Sequence, residues 1–89
     1  MTTVSVQFSL YPLRADHLTP AIEAAWACLR ARGLEFQAGS MSTLVTGPAG
    51  EVFDALREAF EQQAGRCELV LALTVSNACP AAAPREARP

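Results

Sequence analysis

Residues 3–11, TVSVQFSLY, alternate without a break: Val4, Val6, Phe8 and Leu10 fall on one side, and Ser5, Gln7, Ser9 and Tyr11 on the other. Successive side chains of a strand point to opposite faces, so this segment has one face to bury and one that is polar. Residues 67–77, CELVLALTVSN, repeat the pattern near the other end of the chain, with Leu69, Leu71, Leu73 and Val75 opposed to Val70, Ala72, Thr74 and Ser76. A chain bounded by two such segments must build a sheet covered on one side.

Helical spacing fills the interior. Thr19-Pro20 offers a cap followed by a proline at the first helical position, where a missing N–H costs nothing. Ile22, Ala25, Trp26 and Leu29 then recur at one helical face, and Gly33 supplies a left-handed stop. Residues 34–37 and 41–46 read as a hairpin across Gly39-Ser40, with the second strand ending at Gly47. Val52, Leu56, Ala59 and Phe60 mark a second helix closed by Gly65, and Phe53, Phe60 and Trp26 are assigned to the core. The order β-α-β-β-α-β predicts a ferredoxin-like α+β fold: a four-stranded antiparallel sheet with both helices on one face. Residues 1–79 form the expected single domain, and residues 80–89, with three prolines and four alanines, an expected disordered tail.

Composition narrows the function. The 89 residues are 51% hydrophobic and 18% charged, enough to fold but with room for only one small core. A net charge of −2, with no arginine cluster, argues against nucleic acid. No apolar run approaches the roughly 18 residues of a membrane span, and Met1 leads straight into the first strand, so the expected location is cytoplasmic. Cys28, Cys67 and Cys79 are widely spaced and suggest reduced thiols rather than a disulfide framework or a metal site. No nucleophile has an evident base: the chain has one histidine, His17, in a connecting segment. Glu51, Asp54, Glu58 and Glu61 fit a solvated helix face. The expectation is therefore no enzyme, no catalytic residues and no cofactor.

Three phrases set polar residues inside apolar strands: QFSLYPL at 7–13, MSTLVTG at 41–47 and TVSNACP at 74–80. In this order and at this spacing they resemble the YkoF-type family of thiamine- and hydroxymethylpyrimidine-binding proteins, over about residues 4–80. The resemblance implies non-enzymatic binding of thiamine or its hydroxymethylpyrimidine moiety, in uptake or salvage. Carried onto this chain, it makes Gln7, Ser9, Tyr11, Ser42, Thr43, Thr74, Ser76 and Asn77 the candidate ligand-binding residues. An aminopyrimidine is a flat apolar ring with ring-nitrogen acceptors and an amino donor, which suits hydroxyls and an amide among aromatic side chains. The cationic thiazolium would lie near Tyr11, Asp16 or Glu35.

The better-known family form carries two such modules, whereas this chain has one. A homodimer packed sheet face to sheet face, covering Val70, Ala72 and Tyr11, is expected to restore the pair. Two other readings compete: a ferredoxin-like dimerisation or regulatory module without a thiamine ligand, and a small dimeric enzyme.

Overall fold

A computed structural model describes residues 2–14, 19–40 and 42–78. The elements are β1 (Thr3–Pro12), α1 (Thr19–Ala31), β2 (Glu35–Ala38), β3 (Thr43–Pro48), α2 (Ala49–Ala64) and β4 (Leu69–Ser76). The sheet runs β2-β3-β1-β4 with every neighbouring pair antiparallel. This is the predicted ferredoxin-like arrangement. The expectations for Asp16, His17, Met41, Cys79 and the tail lie outside the described residues.

The alternation of β1 sets the layers. Val4, Val6, Phe8 and Leu10 are buried beneath the helices, together with Val45 of β3. α1 contributes Ala21, Ala25, Cys28 and Leu29 to this core, and α2 contributes Val52, Ala55, Leu56 and Ala59. Cross-strand partners share a face. Gln7 therefore stands between Leu44 and Thr74, and Ser5 between Thr46 and Ser76, on the face away from the helices. Ser5 and Thr46 join hydroxyls there at 3.3 Å.

The end of α1 follows the sequence signal closely. Gly33 has φ 73°, and the N–H groups of Gly33 and Leu34 return to the carbonyls of Arg30 and Leu29 at 2.9 and 3.0 Å. Those two bonds satisfy helix-end carbonyls and turn the chain into β2.

The hairpin differs from expectation by one to two residues. β3 runs through Gly47 to Pro48 rather than stopping at Thr46, and β2 ends at Ala38. Gly47 belongs inside the strand because of its neighbour: a Cβ at this position would stand 2.6 Å from Leu34 Cδ2. The residue that reads as a terminator is a point of close packing. Phe53 is a second correction. It was expected in the core, yet is 44% exposed on α2, because it lies at the edge of the helix face that buries Val52, Ala55, Leu56 and Ala59.

Candidate functional site

β1 is longer than its partner on one side. It pairs with β4 as far as Pro12, but its described ladder with β3 ends at Phe8 opposite Thr43. Beyond that point Ser9, Leu10 and Tyr11 border a gap between the N-terminal half of α1 and the described residues of the β2–β3 connection. The gap is a cleft of ≈ 400 Å³. Phe8, Leu10, Ile22 and Trp26 supply its apolar walls; Ser9, Tyr11, Thr19, Ser40, Ser42 and Thr43 bring hydroxyls, and Gly39 completes the rim. This volume lies within the range of small-molecule sites, as does the mix of apolar walls and a few polar groups. None of these residues carries a charge.

Trp26 is the most firmly held wall. Its indole Nε1–H donates to Thr43 Oγ1 at 3.1 Å. Its ring stacks on Phe36 with centroids 5.9 Å apart and planes 22° from parallel, and the Arg30 guanidinium lies over the Phe36 ring at 5.3 Å. Stacking and a satisfied N–H fix an aromatic ring in one orientation. Thr43 is 5% exposed and accepts from the indole, which leaves its hydroxyl hydrogen to be donated.

The eight residues singled out by sequence do not form one cluster. Ser9, Tyr11, Ser42 and Thr43 line the cleft. Gln7 lies beside it on the helix-free face, where its side-chain Nε2–H donates to Ser42 Oγ at 3.2 Å. Thr74 flanks Gln7 on that face. Ser76 stands opposite Ser5, four residues from Ser9 along β1, on the order of 13 Å away, and its hydroxyl accepts the Ala78 N–H at 3.0 Å. Asn77 follows, exposed, beyond the end of β4. Thr43 does not share the open face: opposite Phe8, it points to the helices. Glu35, considered for a thiazolium, pairs with Thr46 toward the Ser5 end and away from the cleft.

Sequence reasoning missed Ile22, read as one position of an apolar helix face, and Trp26, which it assigned to the core. They occur at core spacing, but both are only half-buried. The available signal was chemical: a tryptophan carries an N–H that needs an acceptor, and a threonine at a strand start is a ready one.

Neither Cys28 nor Cys67 lines the cleft. Cys28 is buried and its Sγ–H donates to Gln62 Oε1 at 3.8 Å. Burial, and then the Glu58 charge, push this thiol above its ordinary value, so it stays protonated at neutral pH. Among the described residues no group of three or more His, Cys, Asp or Glu side chains is placed to hold a metal ion, and no helix is long and apolar enough to cross a membrane.

Residues 3–82 match the model of the YKOF-related family. Among solved structures, a hypothetical protein of Methanocaldococcus jannascii is similar with a TM-score of 0.77 and 20% identity, over 85% of this chain and 80% of that one. A candidate thiamine biosynthesis/salvage protein of Thermotoga maritima gives 0.72 and 24%, over 83% and 82%. A Streptococcus pneumoniae protein gives 0.73 and 17%, over 83% and 84%. At these identities the likeness establishes a shared fold. No curated protein sequence matches the chain.

Proposed function

The chain belongs to the YKOF-related family, and on that premise we propose that its cleft binds the aminopyrimidine ring of thiamine or hydroxymethylpyrimidine, without catalysis, in uptake or salvage. The observation that carries the reading is the uncharged cleft walled by a braced tryptophan and edged by hydroxyls. A flat heteroaromatic ring gains from the indole and from Phe8 and Ile22, and its nitrogen edge needs donors and acceptors of the kind Thr43, Ser9 and Ser42 provide. The Thermotoga maritima protein with the same fold adds a thiamine connection. Tyr11, at the mouth, gives a thiazolium an aromatic face. The reading sets the chain in the cytoplasm, as a homo-oligomer.

Trp26 is the single tryptophan, so its fluorescence reports directly on the cleft. Titration with thiamine and with hydroxymethylpyrimidine is expected to change the emission saturably, with calorimetry giving the same affinity. Thr43→Val keeps the shape of the side chain but removes its hydroxyl, and should weaken binding about tenfold, the equivalent of one hydrogen bond. Asn77→Ala, remote from the cleft, should bind like the wild type. Failure of both ligands at millimolar concentration, or an unchanged Thr43→Val, would sink the proposal.

A further inference from the structure

Two hydroxyls of the cleft are already bonded within the chain, and both accept. Thr43 Oγ1 takes the indole N–H of Trp26 at 3.1 Å, and Ser42 Oγ takes the side-chain N–H of Gln7 at 3.2 Å. The two donors differ in kind. An amide carries an acceptor beside its donors and can turn end for end, whereas an indole nitrogen only donates. Thr43 is therefore bonded in a fixed sense, and Ser42 in one that can reverse.

Thr43 is also buried, and the indole that bonds it is kept in place by its stack on Phe36. A hydroxyl has one hydrogen and two lone pairs, and Trp26 occupies one of those lone pairs. A ligand acceptor that meets the hydrogen completes the group. A ligand N–H must instead take the second lone pair, and the hydrogen is then left without an acceptor, because among the described residues Trp26 is the one hydrogen-bond partner of the Thr43 side chain. Leaving a buried donor unpaired costs more than the bond it replaces would have contributed.

We infer that Thr43 is the specificity-determining residue of the cleft: its hydroxyl demands a bare ring nitrogen, so the cleft selects aminopyrimidines over the corresponding oxopyrimidines. The inference rests on the aminopyrimidine reading of the cleft and adds the atom on which selection turns. A donor of fixed sense beside a hydroxyl of adaptable sense matches a ring nitrogen with an amine on the adjacent carbon. The nitrogen accepts from Thr43, and the amine donates to Ser42. In the oxo compound that ring nitrogen carries hydrogen and the adjacent carbon carries a carbonyl. Ser42 adapts by donating to the carbonyl, but Thr43 and the ring then set hydrogen against hydrogen. Trp26 is a positioning residue that acts through the Thr43 oxygen.

Calorimetry of the full chain with hydroxymethylpyrimidine and with its oxo counterpart, in which a carbonyl replaces the amine, tests this. The wild type is expected to bind the amino compound at least about tenfold more tightly. Thr43→Val, with circular dichroism unchanged, should weaken binding of the amino compound alone and so remove most of that preference. Thr43→Ser keeps a hydroxyl and should keep the preference. A readout without ligand checks the bond itself: the indole N–H proton resonance of Trp26 should move in Thr43→Val and stay near its wild-type position in Thr43→Ser. Equal affinities in the wild type, a preference for the oxo compound, or a preference undiminished in folded Thr43→Val would overturn the inference and leave the ligand reading standing. Binding of neither compound would remove the ligand reading, and the inference with it.

Discussion

The chain is two β-α-β halves, and their helix–sheet junctions have opposite outcomes. In the second half, α2 sets Val52, Ala55, Leu56 and Ala59 into the core, and Gly47 lets the Leu34 side chain approach so closely that an added Cβ would make it shift. In the first half, α1 buries Ala21, Ala25, Cys28 and Leu29, but Ile22 and Trp26 remain half-buried over a cleft of ≈ 400 Å³. The difference has two causes. The described ladder between β1 and β3 ends at Phe8 opposite Thr43, and the indole is held in place by Phe36 and Thr43. A junction packed with small and branched residues yields stability; one held open by a braced aromatic gives up part of that burial and gains a place for a ligand.

The widest separation between the halves should appear on truncating one apolar residue in each. Leu56→Ala empties a fully enclosed site and is expected to cost about 2–5 kcal/mol, whereas Ile22→Ala, next to space that is already open, should cost under ~2 kcal/mol. Chemical denaturation of both variants checks this. The comparison fails if the two losses are equal or reversed. Ile22→Ala should also weaken ligand binding, while Leu56→Ala, when folded, should not.

Part of this contrast is legible in the sequence. Strict alternation in β1 and β4 assigned their faces, because a one-residue slip would have exposed Val4, Val6, Phe8 and Leu10 together. The sequence also placed Ser9, Tyr11, Ser42 and Thr43 among the candidates, and these line the cleft. It did not locate the cleft itself. That depends on where β3 begins, and Gly47-Pro48 conceals the register: both residues read as breakers, while Gly47 is demanded by Leu34, a residue remote in sequence. Thr43 faces the helices because it pairs with Phe8, and alternation alone does not show the cleft beside Ser9. Trp26 failed as a signal for a related reason. Periodicity measures which way a side chain points and says nothing of whether anything packs against its far side.

Gly47→Ala sharpens the comparison from the closed side. The added methyl meets the buried Leu34 Cδ2 at 2.6 Å but lies at ordinary contact distance, 3.5 Å, from Val52 Cγ2. The strain should therefore come from one neighbour. A loss of about 1–3 kcal/mol is expected, as for other overpacked cores. In a Leu34→Ala background the same change should cost distinctly less, a coupling measurable by a double-mutant cycle. Additive losses would mean that Gly47 is not there to admit Leu34.

The smallest effect expected comes from Cys28, on the side of α1 that does pack against α2. Burial chiefly, and the Glu58 charge next, raise its thiol above the ordinary value of 9.0. A raised value in the folded state means that the folded chain holds this proton more tightly than the unfolded chain. The associated stability is complete below about pH 9, the unfolded thiol's value, and declines as pH rises through the folded value. Denaturation curves at pH 7 and pH 10 should therefore show a loss of stability at the higher pH, and Cys28→Ala should lose less over the same interval. A decline unchanged in Cys28→Ala would place the alkaline sensitivity in some other group and would remove the evidence that the α1–α2 junction is closed tightly enough to hold a thiol neutral.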